Sequence, residues 1–439
     1  MTTASNKNQN NTYKLMGRDL YAAMGSPKTI LAPMVDQSEL AWRILSRRYG
    51  ADICYTPMLH ARLFANDKKY RKDMWSDLDG DAKLDRPLVA QFCANNPAEL
   101  LEAASHLVGK CDAVDLNLGC PQGIAKKGHY GSFLMEEWDL IHDLINIVHT
   151  KLGVPVTAKI RIFPTKEKSL EYAQHVLKAG AQFLTVHGRT REMKGQQTGL
   201  ADWSYIKHIR DNIPADTVLF ANGNVLYPED ITRCFDQTQC DAVMSAEGNL
   251  YNPAVFNLNP DATIDEKFPR VDKLLREYFE IVKSLGPESR ASKIALKSHF
   301  FKILRPFLVH HTDIRNAIGQ SRAPRTEEDL IPWESIVAQV EDAVAKIYLS
   351  PDLADEVVTG DVQEWGGSYK EVPYWRCQPY FRTVNGIEKA NTKLNDKNFQ
   401  TKKAKGGSEN VETSTAAEVD PVTNPVVEDL AEPLDEGTK

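Results

Sequence analysis

Up to residue 260 the chain alternates short apolar runs with stretches of helical spacing. The runs are "TILAPM" (29–34), "ICYTPM" (53–58), "LVAQFC" (88–93), "AVDLNLG" (113–119), "VPVTAKIRI" (154–162), "FLTVHG" (183–188), "VLFANG" (218–223) and "AVMSAEG" (242–248). Continuous rather than alternating apolarity predicts strands buried on both faces. The segments between them read as amphipathic helices. Asn96-Pro97 offers a cap and a first-turn proline, and "SLEYAQHVLKAG" ends in Gly180, where a helix C-cap belongs. Strand and helix in alternation mean a parallel sheet, and eight units favour a closed TIM (β/α)8 barrel over an open doubly wound sheet.

Polar residues break the apolar runs in matching places. Gln91, Asn117, Lys159, His187 and Asn222 each lie near the C-terminal end of a run, where a barrel builds its active site. Any one alone is more often a structural polar group satisfied by the backbone; five together point to a site.

Beyond residue 260 the pattern turns wholly helical, in "VDKLLREYFEIVKSLG" (271–286), "SRASKIALKSHFFKILRPFLVHHTDIRNAI" (289–318) and "PWESIVAQVEDAVAKIYL" (332–349). Between Ser289 and Arg325 the cations Arg290, Lys293, Lys297, Lys302, Arg305, Arg315, Arg322 and Arg325 are opposed by Asp313 alone. Such a run is often just a solvated face; the sharper reading is a phosphate-binding surface. "VPYWRCQPYFRTVNG" (372–386) mixes aromatics with arginines and reads slightly better as a segment packed on the helices than as a nucleic-acid contact. The expected organisation is a flexible 1–25, a barrel over 26–262, a helical domain over 263–350, an extension over 351–400 and a disordered tail over 401–439, acidic from 408.

Composition narrows the picture further. The formal charge of −7 resides in the tail, where nine acidic residues from Glu409 to Glu436 face Lys439 alone; the remainder is near neutral. No run approaches the roughly 20 apolar residues of a membrane span, and the polar start "MTTASNKNQNNTYK" is no secretory signal. An intracellular protein is expected, cytoplasmic or nuclear, and a monomer. Seven cysteines without a C-x-x-C pair argue against a disulfide framework or a zinc ribbon, so each thiol is read singly, most as buried small hydrophobes.

Several chemistries lack their motifs. No G-x-G-x-x-G opens a helix, "GIAKKGHY" (123–130) fails as a P-loop, and H-E-x-x-H is missing, so no metal site is expected. What remains is a ring of Gln91, Asn117 and Asn222 with Lys159 and His187, a donor set suited to a planar heterocycle such as flavin. The loops "NGNVLY" and "AEGNLYN" would offer backbone N–H groups to a terminal phosphate. Cys120, in "DLNLGCPQ" (115–122), follows the fourth strand and would face the mouth. A thiol of ordinary pKa, about 8.5, stays protonated near neutrality and can act as a general acid. Reduction of a conjugated enone needs a hydride, from the flavin, and a proton, from Cys120.

On "LAPMVDQSELAWR", "YTPMLHARLF", "LVAQFCANNP", "DLNLGCPQ", "GSFLM", "VTAKIRI", "TVHGRTR", "FANGNV" and "MSAEG", covering most of 28–350, the chain resembles the tRNA-dihydrouridine synthases. "AEG" at 246–248 and the later "WRCQPYFR" resemble the eukaryotic branch that acts on D-loop positions 16 and 17. The resemblance implies an FMN-bound barrel, a helical tRNA-binding domain, and NADPH or NADH as reductant. It also implies that Pro33, Met34 and Val35 pack on the isoalloxazine, that Gln91 and Lys159 bond its polar edge, and that His187 contacts FMN. Asn222, Gly223, Asn224, Ala246 and Glu247 would surround the ribityl phosphate. Asn117 would orient the target base beside Cys120, the proton donor, with Arg189, Thr190 and Arg191 meeting the nucleotide and Arg290, Lys293, Lys297 and Arg305 the tRNA body. Two rivals share parts of this pattern: a flavin barrel acting on free pyrimidines or dihydroorotate, and a noncatalytic tRNA-binding protein.

Overall fold

The computed structural model describes residues 14–195, 198–350, 359–364 and 367–380. Eight parallel strands form the centre: β1 (Thr29–Leu31), β2 (Ile53–Tyr55), β3 (Leu88–Cys93), β4 (Ala113–Leu118), β5 (Val156–Arg161), β6 (Phe183–His187), β7 (Val218–Asn222) and β8 (Ala242–Ser245). Each pairs with the next, and β8 returns to β1 through Thr29↔Val243 and Leu31↔Ser245, which closes the barrel. Past Pro57 the two residues Leu59–His60 resume the pairing with β3.

The period of two along each strand sorts side chains between two cores. Ile30, Ile53, Tyr55, Val89, Ala113, Phe183, Val218, Phe220, Ala242 and Met244 point inward and form one buried cluster. Their neighbours, among them Leu31, Cys54, Ala90, Leu116, Ala158, Val186 and Leu219, face the surrounding helices. Gln91, Asn117, Lys159, His187 and Asn222 share the inward parity, which is why polar residues late in the runs converge on one place.

The helix signals hold. Asn96 accepts from the N–H groups of Ala98 and Glu99 to open Pro97–Ser105, and Gly180 (φ +117°) ends Lys166–Lys178. A Cβ at Gly180 would lie 2.5 Å from the His149 ring, so the close packing there also requires glycine.

The flexible segment expected at 1–25 is corrected for its latter part: Gly17–Ala23 is a helix. Its Leu20 and Tyr21, with Met24, plug the end of the barrel where the strands begin. Tyr21 donates to the carbonyls of Pro27 (2.8 Å) and Asp241 (3.0 Å), its ring 6.2 Å from Phe183. Two turns without a side-chain cap leave no periodicity to read; the apolar barrel floor holds the helix.

After β8, the helices Val271–Ser284 and Arg290–Ile303 pack against the barrel helix Leu40–Arg48, and Thr312–Gln320 and Ile331–Tyr348 pack on those two. Buried Glu39 joins the two parts. It accepts from Tyr278 Oη (3.0 Å) and Trp42 N (3.2 Å), and His299 Nε2 lies 3.1 Å away. The Trp42 indole stacks on His299 at 4.0 Å. In "VPYWRCQPYFRTVNG" the described part packs on these helices: Trp375, Arg376 and Cys377 are buried, and Arg376 donates to Asp265 (2.6 Å) and the Phe268 carbonyl (2.8 Å). Residues 381–386 and the 401–439 tail lie outside the described residues. Among the described residues no helix is long and apolar enough to cross a membrane.

Candidate active site

The inward polar residues form two layers. In the lower, Asp115 is wholly buried; its Oδ1 accepts from Thr157 Oγ1 (2.6 Å) and its Oδ2 from Gln91 Nε2 (2.8 Å). Burial raises its pKa to about 6, partly opposed by the bonds from Thr157 and Gln91. The upper layer continues upward. Gln91 Oε1 accepts from Asn117 Nδ2 (2.7 Å), and Asn117 Oδ1 accepts from the N–H groups of Gly119 (3.0 Å) and Cys120 (2.9 Å). Asn117 therefore folds the strand end into the turn that presents Cys120.

That turn is held from its other side as well. Ser132 donates to the Cys120 carbonyl through N (3.1 Å) and Oγ (3.0 Å). Gly131 (φ +65°) permits the approach, since a Cβ there would sit 2.8 Å from the Cys120 carbonyl oxygen. Cys120 is half-buried, whereas the other six cysteines are buried. Desolvation pushes its thiol pKa up, against a backbone bond and the cations Arg161, Lys159 and Lys194, so the thiol is protonated near neutrality.

Lys159 stands across the mouth. Its Nζ donates to Asn222 Oδ1 (2.9 Å), while Asn222 Nδ2 donates to the Met244 carbonyl (2.8 Å). Burial, with repulsion from Arg161, lowers the ammonium to about 8, and Asp115 opposes the fall. The same burial, with Lys159, Arg161 and Arg189 nearby, holds His187 well below the usual imidazole range. A neutral ring can accept at Nε2, which lies 2.9 Å from Arg189 Nη1. Arg189 also donates to Gly199 O (3.0 Å) and Asn224 Oδ1 (2.9 Å). Asn224 (φ +59°) bonds Ala201 through both side-chain ends, at 2.7 and 2.9 Å. Gly223 is required by contact, because a Cβ would meet Ala201 Cβ at 2.6 Å.

Pro33 and Met34, half-buried, and Val35, 50% exposed, form the loop after β1. Ala246 and Glu247 open the short helix Glu247–Tyr251 after β8. Thr190 and Arg191 lie in the loop after β6, where their contacts are structural: the Thr190 carbonyl accepts from Arg161 (2.7 Å), and Arg191 donates to Ser132 O (3.2 Å) and Glu136 (2.9 Å).

The expected tRNA-facing cations divide. Lys293 is corrected: it is 2% exposed and pairs with Glu327 at 2.5 Å, because its helix position faces the core. Lys297 binds the carbonyls of Gly319 (2.7 Å) and Ser321 (2.8 Å) at the end of Thr312–Gln320. Arg290 pairs with Asp73 (2.8 Å) at the surface. Arg305 is exposed, with its guanidinium 3.7 Å from the Tyr380 ring centroid.

Two site residues escaped sequence reasoning. Asp115 has the same inward parity as Asn117, a signal available in "VDLNLG". Arg161 follows Lys159 by two and bridges the Cys120 turn to the loop after β6, donating to Gly119 O (2.8 Å), Thr190 O and Met193 O (3.0 Å).

Fold and site define a parallel (β/α)8 barrel whose strand ends carry a largely buried, cationic donor set beside one accessible thiol. The family profile described as "Dihydrouridine synthase (Dus)" matches residues 30–346, and the chain belongs to this family. It is 67% identical, over 85% of this chain and 88% of the relative, to "tRNA-dihydrouridine(16/17) synthase [NAD(P)(+)]" of Saccharomyces cerevisiae. A protein of the same name from Schizosaccharomyces pombe is 50% identical over 84% of this chain and 92% of its own length. The Mus musculus "tRNA-dihydrouridine(16/17) synthase [NAD(P)(+)]-like" protein is 43% identical over 84% of this chain and 71% of its own.

Proposed function

We propose that this chain reduces the C5–C6 bond of uridines in the tRNA D-loop, at positions 16 and 17 as in the names of its relatives, using NADPH or NADH and bound FMN. The observation that carries the reading is the protonated Cys120 thiol, held by Asn117 and Ser132 at the mouth of a barrel lined by Gln91, Lys159 and His187.

The residues present fit a flavin. The Lys159 ammonium has three donors and one acceptor, Asn222, among the described residues, so a carbonyl at the flavin's polar edge would complete its bonding. Asn222 and Asn224 spend their side chains inside the protein, so with Gly223, Ala246 and Glu247 they would meet the ribityl phosphate through backbone N–H groups. Pro33, Met34 and Val35 would cover the ring. Bound and reduced, FMN supplies the hydride for uracil C6.

Cys120 then donates its proton to C5. Arg161 ties the Cys120 turn to the loop after β6 through Gly119 O and Thr190 O, which steadies the thiol for this step. The uridine must leave its stack to reach this mouth, as in other enzymes that act on a base. The barrel over 26–262 would carry the chemistry, and the helices over 263–350 would hold the tRNA body through exposed Arg290 and Arg305.

The test is anaerobic: reduce the purified holoprotein with NADPH, then follow flavin absorbance on adding unmodified tRNA or free uridine. Rapid reoxidation by tRNA alone, with dihydrouridine at the D-loop, is the expected result. Reoxidation by free pyrimidines would transfer the function to small-molecule metabolism.

A further inference from the structure

Beneath Cys120 runs a continuous chain of side-chain hydrogen bonds on inward positions of three adjacent strands. Thr157 on β5 donates to Asp115 on β4, Gln91 on β3 donates to Asp115, Asn117 on β4 donates to Gln91, and Asn117 Oδ1 accepts from Cys120 N. Register brings them together, since Gln91 pairs with Asp115 and Asp115 with Thr157.

The direction of this chain is fixed at its upper end. Backbone N–H groups of Gly119 and Cys120 can only donate, so Asn117 must turn Oδ1 toward them and Nδ2 toward Gln91. Gln91 must then offer Oε1 to Asn117 and Nε2 downward. Gln91 and Asp115 are each 0% exposed, so water cannot replace the acceptor that Nε2 requires. A carboxylate supplies it. Without one, Nε2 is left buried and unpaired, and an amide flip that moved it would set it against Asn117 Nδ2, donor to donor.

We infer that Asp115 is a positioning residue for Cys120: through Gln91 and Asn117 it fixes the turn that holds the thiol at the barrel mouth. The inference rests on the proposed reaction for its catalytic consequence, but the geometry it asserts is independent of that reaction. Asp115 touches neither the thiol nor the mouth; it acts two side chains away.

The experiment measures alkylation of Cys120 by iodoacetamide in the flavin-loaded full chain, followed by peptide mass spectrometry. Half-exposed among buried cysteines, Cys120 is the selective target. Asp115→Leu removes the acceptor while keeping the branched shape and should release the turn, speeding alkylation about tenfold, the scale of one lost buried hydrogen bond. Asp115→Asn can turn Oδ1 to Gln91 and Nδ2 to Thr157, so it should stay within about twofold of the wild type. Asn117→Ala should match the Leu variant, and combining the two should add nothing, because both cut one chain. If Asp115→Leu fails to fold, Gln91→Met breaks the chain at its next link and should give the same acceleration.

Unchanged alkylation in the variant that folds, or an effect of Asp115→Leu that persists undiminished in the Asn117→Ala background, would overturn the inference. In turnover, NADPH should reduce the flavin of Asp115→Leu at the wild-type rate while tRNA-dependent reoxidation falls about tenfold or more. A wild-type protein that alkylates as described yet ignores tRNA would refute the proposed reaction and leave the positioning role standing.

Discussion

Replacing Lys159 by Met should weaken flavin binding and stabilise the flavin-free protein at the same time. Folding lowers this ammonium from 10.5 to about 8, chiefly by burial, so the folded state favours the neutral amine. Between these values the unfolded chain binds more protons than the folded one, and stability rises with pH there. The burden is therefore complete below about pH 8 and gone above 10.5. Its size is up to about 3 kcal/mol at about 1.4 kcal/mol per pKa unit, and the lost bond to Asn222 returns about 1 kcal/mol of that. Lys159→Met should thus gain about 2 kcal/mol by urea unfolding of the flavin-free protein at pH 7, with the gain fading toward pH 10. Flavin affinity should move oppositely. The protonated form binds, so the wild-type Kd, read by quenching of flavin fluorescence, should rise about tenfold from pH 8 to 9.5, while the Met variant binds weakly and without this slope. A flavin-free Met variant less stable than wild type at pH 7, or a flat wild-type Kd across that range, would refute the reasoning.

Three further outcomes are expected. Cys120→Ala should bind flavin and accept hydride from NADPH normally, yet lose about 100-fold or more in tRNA-dependent reoxidation, measured by stopped flow; full turnover would exclude the proton-donor role. Glu39→Ala should cost about 3 kcal/mol in urea unfolding, because Tyr278, Trp42 N and His299 would lose their shared buried partner. Arg305→Ala should reduce the slope of log Kd for tRNA against log salt by about 1, whereas Lys293→Ala should leave that slope unchanged and lower stability, which native filter binding and thermal melts would separate.

The sequence alone determined the barrel and the ring at its mouth, because both rest on local periodicity. Eight apolar runs with helical segments between them admit few arrangements, and Gln91, Asn117, Lys159, His187 and Asn222 share the inward parity near the C-terminal ends of their strands. Gly180 and Asn96 were legible for the same reason: each signals through its nearest neighbours.

Tertiary structure decided what depends on residues far apart. Gly17–Ala23 is too short to declare itself and forms because the barrel floor needs an apolar plug. Lys293 looked like part of a basic surface until helix packing turned it inward to Glu327. Arg161 and Asp115 carried polar character but no partner in the sequence; only strand register sets one beside the Cys120 turn and the other beneath Gln91. A hydrogen bond needs two groups within about 3 Å in the right orientation, and sequence spacing fixes that distance within an element but not between strands.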